Sequence, residues 1–398
     1  MIPKIDSEIG IHVYSTKFDG IGGNIRNNAE DFKVTEVISE RSLELINQQD
    51  GFAVYKLKKK KIDTTHALSE IFRKKGIRLK ALGLKDAYAE TEQFVCSDTK
   101  GRSIENFDSV KYSLRKIGFV KKPLSKKDMI ANHFSIKISN CIDKLSDFIE
   151  YNKILNFYGY QRFGSKRPVT HLIGKSLLQR DFKKAVELIL SFTSSFDSKE
   201  NTEIREKLID KSNHKKYFNE IPPQMDIEKI VLKELIEHDD EQKAIHVIPL
   251  HLRRFYIQAY QSFLFNQSLS AAFTDGENLF AAQEGDVCYD LHGVIGKYAK
   301  GFDQHLSLPF VGYSYYKKTR FDFQISKILA TEEITPKDFF IKEMQEISSE
   351  GGFRQAVIKC TNYLSKDNVV EFDLSRGSFA TVLLREIMKP DDPIAAGF

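Results

Sequence analysis

A chain of 398 residues exceeds what one hydrophobic core usually organises, so two folding units, or one domain carrying a large insertion, are expected. With 41% hydrophobic and 29% charged residues, no apolar run near the roughly 20 residues that span a bilayer, and an N-terminus (MIPKIDSEIG) without signal-peptide grammar, collagen-like, disordered and membrane classes are excluded and a cytoplasmic protein is expected. The net charge of +5 is uneven: residues 1–154 carry 28 Lys+Arg against 21 Asp+Glu and the remainder 32 against 34, a balance that suits a basic cleft meeting a polyanion in the first part, or simply a solvated surface.

Along the chain, Ile25 to Val37 alternates loosely and predicts a strand around Phe32, Val34 and Val37, and Gly51 to Leu57 alternates more clearly as a second. The run Lys58-Lys59-Lys60-Lys61 reads first as a solvated face and second as a phosphate contact. Thr64 and Thr65 precede Leu68, Ile71 and Phe72 at helical spacing, predicting a helix from about Thr65 to Lys75 with Gly76 as its stop. Phe94 to Cys96 and Phe134 to Ile138 predict further strands, and Lys144 to Ile154 another helix. After Asn156 the apolar spacing turns helical, from Leu172 through Leu235 and from Leu252 to Phe273, with the polar stretch Asp197 to Asn219 expected as an exposed turn or helix connection. Strand-like text returns in Phe353 to Lys359, and Gly377 opens a helical segment from Phe379 to Met388. The pattern is α+β: a mixed sheet made by residues 1–154 and 346–398, interrupted by a mostly helical insertion over 155–345.

The densest chemistry lies in Ala81-Leu82-Gly83-Leu84-Lys85-Asp86-Ala87-Tyr88-Ala89-Glu90-Thr91-Glu92-Gln93. An apolar approach ends at a glycine and a charged pair, and small Ala87 and Ala89 leave room beside the Asp86 carboxylate. The plain alternative is a surface turn with an exposed Lys-Asp pair, which contributes little. Four scattered cysteines (Cys96, Cys141, Cys288, Cys360) and ten histidines without metal-ligand spacing argue against a zinc site and a disulfide framework, so no metal is expected.

Gly83, Lys85, Asp86, Ala89, Thr91 and Gln93 match G-x-K-D-x-x-A-x-T-x-Q, and here the chain resembles the TruD family of tRNA pseudouridine synthases. The resemblance continues, in the family's order, at Glu30 to Glu36, Asn132-His133-Phe134, Asn156 to Gly164, Tyr260 to Asn266 and Gly377 to Glu386, so it runs from about residue 20 to 390. Ala29, Ala131 and Phe379 depart from the family's usual proline, glycine and tyrosine, which touches loop geometry and removes no reactive group. The resemblance implies a pseudouridine synthase fold carrying a TRUD insertion domain, tRNA as partner, uridine-13 as usual target and no cofactor. Residue by residue it implies Asp86 as the catalytic aspartate, Arg26 as the basic active-site position, Phe134 as the aromatic stacked on the target base, and Asn132 as its support. Lys85 belongs to the same motif, and Gln161 and Arg162 at the insertion junction are further candidates for the RNA cleft, since Arg both stacks and pairs with phosphate.

The residues themselves keep plainer readings open. Phe134 could be simple core among 30 phenylalanines, and Phe157, Tyr158, Tyr160 and Phe163 could merely staple the insertion to the sheet. A non-catalytic RNA-binding protein would use the same basic cleft, and a hydrolase could use Lys85-Asp86, although no phosphate loop or clustered metal ligands accompany it. A monomer is expected.

Overall fold

Alternation of buried and exposed side chains sets the strands. In the computed structural model, which describes residues 1–85, 87–291, 293–315 and 318–398, they are β1 (Phe32–Ile38), β2 (Phe52–Lys59), β3 (Leu79–Ala81), β4 (Glu90–Ser97), β5 (Phe107–Asp108), β6 (Tyr112–Val120), β7 (Met129–Lys137), β8 (Lys153–Leu155), β9 (Val287–Asp290), β10 (Ile295–Lys297), β11 (Gln304–Phe310), β12 (Gly352–Gln355), β13 (Val357–Lys366) and β14 (Val369–Ser375). Ten of them form one sheet in the order β5-β6-β2-β4-β1-β7-β14-β13-β8, with β3 alongside β4. β1 and β4 run parallel and β1 and β7 antiparallel, so the sheet is mixed, as its pattern predicts.

The chain's two outer pieces meet in this sheet, because β14 pairs with β7 and β13 with β8. Between them lie helices and the strands β9, β10 and β11, which β12 of the second piece completes into another sheet of order β10-β9-β11-β12. Helix Thr64–Lys75 forms as its pattern predicts: Asp63 accepts from the His66 N–H at 3.0 Å, and Gly76 closes the end at φ 67°, where a side chain would be strained. Helix Leu250–Thr274 is packed among the other helices and ends close to Asp275.

Four expectations are corrected. Lys144 to Ile154 is not one helix but a 3₁₀ segment, Leu145–Glu150, followed by β8; Ile154 and Leu155 are consecutive buried residues whose strand form depends on pairing with Val357 to Lys359 of a distant segment. The single run Phe353 to Lys359 divides at Ala356, whose N–H donates to Leu306 O at 2.8 Å while its carbonyl accepts from Asn156 N at 2.8 Å, so β12 joins the small sheet and β13 the large one. Within the polar stretch 197–219, Arg205 is buried in helix Lys199–Lys207 and paired with Asp197 at 3.3 Å and Glu228 at 2.8 Å, so part of that stretch is interior. The four-stranded sheet itself has no counterpart in the helical reading, because β10 is exposed along its whole length and carries no alternation.

The lysine run is also partly interior. Lys59 follows Tyr55 and Leu57 on the inward side of β2, is 1% exposed, and donates to Ile62 O at 2.9 Å. Lys58 pairs with Glu90 at 2.7 Å and Lys60 with Glu30.

One contiguous apolar core joins the far half of the large sheet (Phe134, Ile136, Phe372, Leu374, Ile154) to the helices (Ile173, Leu177, Leu264, Phe265, Leu269). Two smaller clusters serve the near half, one between β2, β6 and helix Thr64–Lys75, the other on the opposite face. No helix among the described residues is long and apolar enough to cross a membrane.

Candidate active site

The loop from Leu82 to Ala89 leaves β3 and enters β4, and its first part is pinned from three sides. Gln93 on β4 donates through Nε2 to Gly83 O at 2.9 Å, and its Oε1 accepts from the Thr64 hydroxyl at 2.8 Å. The same Thr64 hydroxyl accepts from the Lys85 N–H at 2.9 Å, and Thr64 N donates to Lys85 O at 3.3 Å. Lys85 Nζ reaches Glu36 Oε1 at 2.8 Å, with the two side chains 9% and 0% exposed, and Glu36 Oε2 accepts from Phe94 N at 2.9 Å. Gly83 sits where this ion pair passes: an added Cβ would meet Glu36 Oε1 and Lys85 Nζ, each at 3.1 Å. Asp86, the candidate nucleophile, follows this pinned segment directly and lies outside the described residues.

Next to the loop is a cavity of about 190 Å³, smaller than the several hundred Å³ usual for drug-sized ligands. Five of the sequence-derived candidates meet there: Arg26, Lys85, Asn132, Phe134 and Gln161. Arg26 is held at φ 60°, with its guanidinium 4.4 Å from the centre of the Phe32 ring and Nη1 donating to Gly397 O at 3.1 Å. Phe134 is 6% exposed, stacked on Phe372 at 5.3 Å and edge-on to Phe32 at 6.3 Å. Phe134 is thus packed among rings in the core and also lines the cavity.

Asn132 Oδ1 and Thr91 Oγ1 are buried atoms without a hydrogen-bond partner among the described residues, and both residues line the cavity. Such groups are costly to leave unmade and are what a polar ligand satisfies. The far wall is Ser378, Phe379 and Thr381, at the start of helix Ala380–Met388. That helix is anchored by Arg385, which is 1% exposed and pairs with Asp6 Oδ2 at 2.5 Å, while the Tyr160 hydroxyl donates to Asp6 Oδ1 at 2.6 Å. Tyr160 precedes Gln161, so one buried network fixes both walls; burial pushes the Tyr160 phenol well above its ordinary value, with the Asp6 charge adding to it.

Arg162 is the candidate that does not line this cavity. Its guanidinium lies 5.3 Å from the Tyr158 ring centre and 5.1 Å from that of Phe255, and burial holds it below the usual guanidinium range. Thr64, Glu36 and Thr91 are the residues that sequence reasoning left out of the site; Thr91 and Gln93 stand inside the recognised motif, whereas nothing at Thr64 marks it as a support for a loop 20 residues later. Among the described residues, Glu234, Glu237 and His238 could share an ion, and none of them lines the cavity.

The chain is thus an α+β protein whose mixed sheet carries a small cavity with aromatic walls beside a pinned loop. It superposes with a TM-score of 0.80 on the crystal structure of a TruD protein from Methanosarcina mazei, at 26% identity over 99% of both chains. A model of the family described as tRNA pseudouridine synthase D (TruD) matches residues 8–387, and the chain belongs to that family. Proteins named probable tRNA pseudouridine synthase D are similar along their whole length: one from Pyrobaculum islandicum at 28% identity, covering 100% of this chain and 99% of its own, and one from Methanosarcina barkeri at 29%, covering 98% of each. Conversion of uridine to pseudouridine, an isomerisation, is the general activity of the family.

Proposed function

We propose that this protein isomerises uridine-13 of tRNA to pseudouridine with Asp86 as the nucleophile. The observation that carries the reading is the convergence of Arg26, Lys85, Asn132, Phe134 and Gln161, far apart in sequence, on one base-sized cavity beside the loop that leads into Asp86. The reaction breaks the N1–C1′ glycosidic bond, turns the uracil and joins C5 to C1′, with the C5 proton leaving and N1 gaining one. Atoms and electrons balance without a redox or group-transfer cofactor, so a carboxylate nucleophile suffices.

Each side chain has a part in this scheme. The pinned 83–85 segment limits where Asp86 can go, which lowers the entropy of reaching an attacking geometry. The Arg26 cation lines the same cavity and supplies positive charge where a polyanionic substrate would enter. A uridine taken out of a folded RNA loses its stacking, and the aromatic floor at Phe134 returns part of that, about 1–3 kcal/mol per base. Asn132 Oδ1 and the Thr91 hydroxyl offer an acceptor and a donor to the edge of a flipped base. Lys85, by contrast, spends its charge on Glu36, so its part is to hold the loop.

The test is Asp86→Asn, assayed on unmodified tRNA by carbodiimide primer extension and by a binding titration. The expected outcome is loss of pseudouridine formation with tRNA binding retained, since a nucleophile acts mainly in the transition state. Substantial activity in the variant removes Asp86 from the role. A wild-type product at a position other than 13 corrects the target and leaves the nucleophile standing.

A further inference from the structure

Arg162 and Arg354 form a pair of half-buried cations with no carboxylate partner among the described residues. Arg354, on β12, lies 4.0 Å from the Tyr158 ring centre and spends its hydrogen bonds on neutral groups, Asn156 Oδ1 at 2.7 Å and Gly377 O at 3.1 Å. Arg162 lies over the same Tyr158 ring at 5.3 Å. Burial holds both guanidinium groups below their ordinary range, and the Arg162 charge adds to that at Arg354. Cations drawn partly out of water gain from an anionic partner, because part of their hydration is lost without compensation. Two like charges over one ring, neither paired with a carboxylate among the described residues, favour an anion beside them.

Their position says which anion. The Tyr158 ring lies 5.9 Å from Phe379, which walls the active cavity, and 5.9 Å from Phe310. Phe310 opens onto a second cavity of about 490 Å³ on the four-stranded sheet, lined also by Phe353, Ser314 and Lys297. Tyr158 and its two arginines thus stand between a cavity sized for one base and a larger one with aromatic and cationic walls. A strand of RNA with one base in the first cavity carries its next phosphate only a few ångströms away.

We propose that Arg162 and Arg354, stacked on Tyr158, clamp the backbone phosphate adjoining the target uridine and direct the neighbouring nucleotide into the second cavity. The clamp rests on the reading that the substrate is tRNA. Guanidinium groups suit the task because they accept stacking on one face and donate to phosphate oxygens from the edge.

The experiment uses the full-length protein and tRNA ligated to carry one uncharged methylphosphonate linkage on the 5′ or the 3′ flank of the mapped target uridine. A 2′-O-methyl sugar keeps that linkage intact, and the same sugar with an ordinary phosphate is the control. In the wild type, one of the two flanks is expected to weaken binding roughly tenfold. In Arg162→Met the same replacement changes binding less than twofold, and the salt slope of its tRNA affinity falls by roughly 0.7–0.9. Should Arg162→Met not fold, Arg162→Gln removes the same charge while keeping a polar end, and Arg354→Lys, which keeps its charge, retains sensitivity to the neutral linkage. Equal sensitivity in the wild type and both Arg162 variants, or none at either flank, overturns the clamp. If the wild type forms pseudouridine in tRNA while the variant and linkage effects simply add, only the clamp fails. If the wild type forms none, the proposed function fails and the clamp falls with it.

Discussion

Thr64 shows how much one hydroxyl carries in this site. Its oxygen accepts from the Lys85 backbone and donates to Gln93, whose amide in turn holds Gly83, so Thr64 ties together two of the contacts that fix the segment before Asp86, beside the Lys85–Glu36 ion pair. In Thr64→Val the shape is kept, but the Lys85 N–H and the Gln93 Oε1 are left without their partner, a loss of about 1–3 kcal/mol. The expected result is a lower thermal midpoint together with a fall in kcat larger than the change in tRNA affinity, because the variant loosens the loop and leaves the RNA face alone. A variant with normal kcat would mean that the loop's position does not matter to the chemistry.

At the scale of elements, the insertion's packing depends on the close approach of two helices. Gly174, in helix Thr170–Leu178, faces Tyr256 of helix Leu250–Thr274 so closely that an added Cβ would lie 2.1 Å from the Tyr256 carbonyl oxygen. Backbone cannot yield as a flexible side chain can, so Gly174→Ala pushes the helices apart. The expected destabilisation is about 1–3 kcal/mol or more, read as a lower urea midpoint at unchanged slope. The same helix carries His171, 2% exposed, stacked on Phe263 at 4.9 Å and edge-on to Phe163 at 5.3 Å, with burial pushing its imidazole down to about 4. The unfolded chain takes up this proton near pH 6.5, and the folded one resists it until near pH 4. His171 therefore leaves stability intact above pH 6.5 and erodes it between 6.5 and 4, by roughly 3 kcal/mol in total. Urea unfolding of the wild type and His171→Leu at pH 7.5 and pH 4.5 checks this: the variant should lose distinctly less stability on acidification, and an equal loss would assign the pH dependence elsewhere.

For the whole molecule, we propose that residues 155–345 are an insertion into a sheet domain made by 1–154 and 346–398. The support is topological, since β13 and β14 return to pair with β8 and β7 on either side of it. The apolar core nevertheless runs unbroken from Phe134 and Phe372 in the sheet to Leu264 and Phe265 in the helices. An insertion sharing its core with its host should unfold with it, so tyrosine fluorescence and far-UV circular dichroism are expected to give coincident urea transitions. Two separated transitions, with a stable proteolytic fragment spanning 155–345, would show an independent core instead.

The sequence by itself determined the α+β class, the long helix, the capped helix before the G-x-K-D string, the central strands and, through that string, the loop proposed to carry the nucleophile. These are legible because each depends on neighbours a few residues apart: alternation for β2, helical spacing for Leu250–Thr274, and Gly76 as the residue that takes φ 67° without strain. Only the tertiary structure decided the rest. It made β8 a strand by supplying β13, split Phe353 to Lys359 between two sheets, drew Lys59 and Arg205 inside, and set Arg162 on Tyr158 beside Arg354 rather than in the base-sized cavity. In each case the deciding partner lies far off in the chain, where local periodicity carries no information about it.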